Sequence, residues 1–176
     1  MPLEKYQHQF ETIAQQWIDD LDRYTEEQFL RKPDEQQWSI GQVYVHLIQS
    51  ALQYHMHQIR QCAENNGTER RGGKKMPGRI SYFLGTIPPV RVHVPPSSAY
   101  TPAQPVSKHD VKDRLQSVIR AVSDIRETAE KASLTQKTAH PGFGFLNARE
   151  WFRIIPMHYH HHRRQQKRLN AFLGVQ

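Results

Sequence analysis

The chain has 176 residues, enough for one domain around a single core, and its lone cysteine, Cys62, excludes an internal disulfide and fits a reducing compartment. No apolar run approaches the length of a membrane span, and the opening MPLEKYQHQFETIAQQW lacks an apolar signal core, so a soluble, unprocessed, cytoplasmic protein is expected. The net charge of +7 and a pI of about 9.7 raise nucleic acid as a partner, but the cations are scattered and belong to no nucleic-acid module, which speaks against it.

Four stretches carry helical periodicity. The first covers about residues 3–29, with Phe10, Ile13, Ala14, Trp17, Leu21 and Tyr24 at three- and four-residue steps, and stops before Pro33. The second opens at Ser39, with Gln42 placed to close a capping box, and runs through Val43, Leu47, Ala51 and Tyr54 to about Ala63. From about residue 64 to 106 the glycines and prolines leave room only for a short helical turn near 79–84 and an extended VRVHVPP. The third helix starts from Ser107, with Asp110 at the capping position, and buries Val111, Leu115, Val118, Ile119, Val122, Ile125 and Ala129. A connection containing HPGFG leads to the fourth, capped by Asn147 with Glu150 three residues on, and running to about Leu173. No strand pair with a hairpin signal is visible. The pattern predicts an all-α four-helix bundle in one domain, 1–176, with the 64–106 segment as a long Gly/Pro-rich crossover between helices 2 and 3.

Eleven histidines are many, but only placement makes one informative. The inward stripe of the fourth helix reads Trp151, Ile155, His158, His162, Gln165, Leu169 and Phe172. His158 and His162 are four apart, about 40° around the axis and about 6 Å along it, so both rings can turn to one ion. An otherwise apolar stripe tolerates two unpartnered imidazoles poorly, and a metal resolves one nitrogen of each. His160 points away and His161 lies at the edge, so HYHHHRRQQ also reads as a His-rich surface. A third ligand is required. In the second helix His46 adjoins Val43 and Leu47 on the inward side; His57 is roughly 16 Å further along, and His55 falls on the opposite face, as an exposed side chain. His46 with His158 and His162 would make a three-histidine site between facing helices.

Two segments carry a resemblance. WSIGQVYVHL (Trp38 to Leu47) looks like the start of the second helix in the DinB/YfiT-like superfamily, where Trp-Ser leads to a metal-binding histidine. HPGFGFLNAREWFRIIPMHYHHHRRQ (His140 to Gln165) is similar to that family's C-terminal half, where a Glu-Trp pair precedes His-x-x-x-His and a Gln three residues later. The resemblance implies His46, His158 and His162 as metal ligands and a homodimer. The 64–106 segment matches no family motif.

Three neutral imidazoles leave a divalent ion an open position at which a water or a thiolate can be activated. Zinc or nickel suits the set best, and iron, cobalt and manganese are compatible with it. The resemblance implies a thiol S-transferase with a bacillithiol-type co-substrate and a small electrophilic substrate. A metal-dependent hydrolase and a non-catalytic stress-response protein with a structural metal are the alternatives. No side chain stands out as general acid or base. Gln165 reads equally as an orienting or a core polar group, His140 as part of a turn, and Cys62 as structural. Arg70, Arg71, Lys74, Lys75 and Arg79 are cations that could attract a carboxylate-rich thiol.

Overall fold

The structure is a computed structural model that describes residues 2–64, 72–88 and 101–175. Helix α1 (Glu4–Asp19) passes into a 3-10 turn (Asp20–Arg23). The single long first helix expected from periodicity breaks there, because Thr25 and Gln28 form a reciprocal capping box that starts a separate helix α2 (Glu26–Leu30). Tyr24, at φ −106° and ψ 140°, is the extended residue between them.

The second expected helix is one continuous rod with a change of pitch. It comprises α3 (Ile40–Gln49), a π-helical turn (Ser50–His55) and α4 (Met56–Ala63). Its start follows the sequence reading: Ser39 Oγ accepts from Gln42 N–H at 3.1 Å, and the Gln42 side chain accepts from Ser39 N–H at 3.0 Å. Ser39 Oγ also donates to Gln104 Oε1 at 2.8 Å, tying the cap to the chain just before Ser107. Ser39→Ala should therefore cost about 1–2 kcal/mol, one cap plus one cross-link, read as a lower urea midpoint at unchanged slope.

Helix α5 (Met76–Leu84) is longer than the turn expected at 79–84. Pro77 sits in its first turn, where a missing N–H costs nothing, and Gly85 ends it at φ +68°. Parts of the 64–106 connection, including VRVHVPP, Arg70 and Arg71, lie outside the described residues. Helix α6 (Lys108–Lys131) begins where Ser107 Oγ accepts from Asp110 N–H at 3.1 Å.

A hairpin then corrects the expectation of no strands: β1 (Lys137–His140) pairs antiparallel with β2 (Gly144–Asn147). Its turn is the HPGFG stretch. His140 Nδ1 accepts from the N–H groups of Gly142 and Phe143, both at 3.1 Å, and the imidazole stacks on Phe143 at 4.5 Å. Gly144 is required at φ +85°, and a Cβ there would meet Gly73 O at 2.6 Å. Residues 73–75 lie against this edge, with Phe145 N–H donating to Gly73 O at 3.1 Å and Lys75 N–H to Phe143 O at 2.8 Å. Helix α7 (Ala148–Leu173) starts from a full Asn147–Glu150 capping box and stops at Gly174, φ +68°.

Helices α1, α4, α6 and α7 pack on one another, α3 adds to the same core, and helices dominate the described chain. Trp17, Tyr44, Phe10, Tyr159 and Trp151 are fully buried there, with Phe10 edge-on to Tyr159 at 5.0 Å. At the end of α7 the stripe shifts by one residue: Leu173 is buried, whereas Phe172, expected inside, is 41% exposed and lies under the Arg31 guanidinium at 5.3 Å. Among the described residues no helix is long and apolar enough to cross a membrane.

Candidate metal centre

Capping fixes where α3 and α7 begin and so where their histidines fall. His46 lies in the second turn of α3, and His158 and His162 are stacked one turn apart in mid-α7. The two helices pack together and their imidazoles meet. His46 Nε2 is 3.2 Å from His158 Nε2, and His158 Nε2 is 3.0 Å from His162 Nε2. The ring centroids of His46 and His162 are 4.8 Å apart. Bond lengths of about 2.05 Å around a tetrahedral ion separate neighbouring nitrogens by about 3.3 Å. The observed spacings are close to that value. His46, His158 and His162 form the group that could hold a metal ion among the described residues, with no carboxylate or thiol joining it.

The surroundings suit neutral imidazoles. Burial pushes His46 down to about 4 and His162 to about 3, with His46, His161 and Arg168 adding to the effect on His162. His158 is held well below the ordinary histidine range by burial and by the neighbouring imidazoles. At neutral pH each ring therefore keeps a lone pair for an ion. His162 has its second nitrogen engaged, with Nδ1 2.9 Å from Gln165 Oε1. Since a carbonyl oxygen only accepts, this contact places the proton on Nδ1 and frees Nε2. Trp38 packs on the His46 ring at a centroid distance of 5.1 Å. The donors are convergent, neutral and of one chemistry, so these residues fit a divalent ion.

Other expectations fall out differently. His160 points outward, as read, and His57 is exposed as well. His55 is the correction: expected in solvent, it is 4% exposed and packs edge-on against His158 at 5.3 Å. The π turn is the reason, because an extra residue in one turn rotates everything beyond it by about 100° relative to a regular helix. No 3.6-residue pattern could have found it. His140 closes the hairpin turn, and burial lowers it to about 4. Cys62 is buried beneath the hairpin, its thiol pushed up by burial, with Sγ 3.8 Å from Thr138 Oγ1 and 3.7 Å from Leu146 O. Tyr159 belongs to the core. Of the cations in the connection, Lys74 is paired with Glu150 and lies over Tyr82 at 5.1 Å, while Lys75 and Arg79 are exposed.

Fold and site together define a mostly helical protein with a compact histidine group able to hold a divalent ion. A family model described as the DinB superfamily matches residues 9–166, and the chain belongs to that superfamily. No curated protein matches the sequence.

Proposed function

We propose that the chain is a metal-dependent enzyme, and that it transfers a low-molecular-weight thiol to a small electrophile. The observation that carries this reading is the ligand count. His46, His158 and His162 offer three nitrogens, and no fourth cysteine, histidine or carboxylate joins them among the described residues. A structural site is normally closed by four protein ligands, whereas a catalytic one keeps a position free. A divalent ion, zinc or nickel in first place, supplies Lewis acidity there and lowers the pKa of a thiol or water that joins it.

The protein's own part is to keep the imidazoles neutral by burial, to orient His162 through Gln165, and to shield one side of the set with Trp38. Charges beside the site are positive: Arg164 and Arg168 act on His161, and Arg168 on His162. With no compensating carboxylate in the ligand set, an anion, a thiolate or a hydroxide, is the favoured newcomer. Hydrolysis uses the same open position and is the second reading. We read the four long helical segments as a four-helix bundle in one domain, crossed over by residues 64–106, cytoplasmic and homodimeric.

The test is metal analysis of untagged protein, then conjugation of a model electrophile with bacillithiol, mycothiol and glutathione, with an ester as the hydrolysis control. Metal-dependent conjugation with one thiol is the expected result. Stoichiometric metal with neither conjugation nor hydrolysis would leave the ion a structural part.

A further inference from the structure

His55 is a buried imidazole that the proposed chemistry does not use. It is 4% exposed, its Nδ1 has no hydrogen-bond partner among the described residues, and its ring stands at 82° to that of His158. His158 shows the matching deficit. Its Nε2 faces the Nε2 atoms of His46 and His162, while its Nδ1 is buried without a partner. His162 shows the complete arrangement for comparison, with Gln165 behind it at 2.9 Å.

A buried polar nitrogen left unpaired is costly, and here two such nitrogens belong to rings in contact. Imidazoles joined by a nitrogen–nitrogen hydrogen bond of about 2.9 Å have centroids about 5 Å apart. The observed 5.3 Å lies within reach of a rotation of the His55 ring about χ2, a broad torsion for histidine. Packing alone does not explain an imidazole at this place. Tyr54 at 5.7 Å and Trp151 at 6.1 Å line the slot, which a phenyl ring would fill without burying a nitrogen. The π turn Ser50–His55 is what delivers the side chain there, and such turns recur at functional sites.

We infer that His55 is the positioning residue of His158: its ring accepts the His158 Nδ1–H and so holds His158 with its Nε2 lone pair directed at the ion site. This rests on the metal reading above. It assigns His55 no contact with the ion or with substrate.

The experiment titrates metal-free protein with Co(II) against a competing chelator and follows its visible absorption, for the parent, His55→Phe and His55→Gln. The phenyl ring keeps the volume without an acceptor, while the glutamine oxygen can take the proton. Affinity should fall about 10–100-fold in His55→Phe, with an altered Co(II) spectrum, and recover most of the way in His55→Gln. Urea unfolding of the metal-free forms checks that each folds; if the Phe variant does not, His55→Met takes its place. Parent-like affinity and spectrum in the acceptor-less variant, or no recovery with glutamine, would overturn the role of His55 alone. A parent that binds no Co(II) would overturn the metal reading and this inference with it.

Discussion

His162→Ala is expected to abolish stoichiometric metal binding while leaving the helical signal nearly intact. Changes behind a ligand typically cost about 10–100-fold in metal affinity, and deleting a ligand from a set of three should exceed that range. The loss should be specific. His162 contributes one of three convergent nitrogens, and His46 and His158 alone leave an ion with two. Its imidazole is not a core anchor; its polar contacts are with Gln165 and His158, and its ring lies 4.8 Å from that of His46. His46→Ala and His158→Ala should behave alike, whereas the exposed His57→Ala should bind as the parent does. Inductively coupled plasma analysis of purified protein, with circular dichroism on the same samples, measures both halves. Unchanged metal content in any of the three ligand variants would refute the assignment.

Acidification of the metal-free protein is expected to have the second large effect. The folded state holds His46 at about 4 and His162 and His55 at about 3, mainly through burial, against an ordinary value of 6.5. The folded values are depressed, so below 6.5 the unfolded chain takes up protons that the folded chain refuses. Stability is therefore complete above about pH 6.5 and is lost as pH falls toward 4 and then 3. Taken alone, His46 is worth roughly 3 kcal/mol and His162 and His55 roughly 5 kcal/mol each by the end of that interval, and since the rings face one another these contributions do not simply add. Against a total of about 5–15 kcal/mol for a domain, the protein should unfold before pH 3 is reached. Urea midpoints at pH 7, 6, 5 and 4 in chelator read this directly. A flat profile over that range would mean the imidazoles are not buried as described. Metal should deepen the dependence, because protons compete for the same nitrogens.

Much of the architecture could be read from local chemistry. Ser39, Ser107 and Asn147 mark the starts of α3, α6 and α7 because each supplies a side-chain oxygen three residues before a free N–H, a short-range relation that sequence displays directly. The apolar steps on α1, α6 and α7 identified buried faces for the same reason. Where local signals competed, reading failed: Thr25 and Gln28 cut the first helix although the hydrophobic period ran on through it. The hairpin was hidden because its strands are four residues each and their partner segment, residues 73–75, is remote in sequence.

The candidate site divides along the same line. That His158 and His162 share a face follows from helix geometry, and His46 was placed inward by its neighbours Val43 and Leu47; the sequence by itself determined those orientations, since each depends on residues within two turns. That the nitrogens stand 3.0 and 3.2 Å apart depends on how α3 and α7 pack, which only the tertiary structure decided. The same holds for His55. A single extra residue in the π turn rotates it by about 100° from its expected face into the interior, and that turn packs against α6 and α7, elements remote from it in sequence.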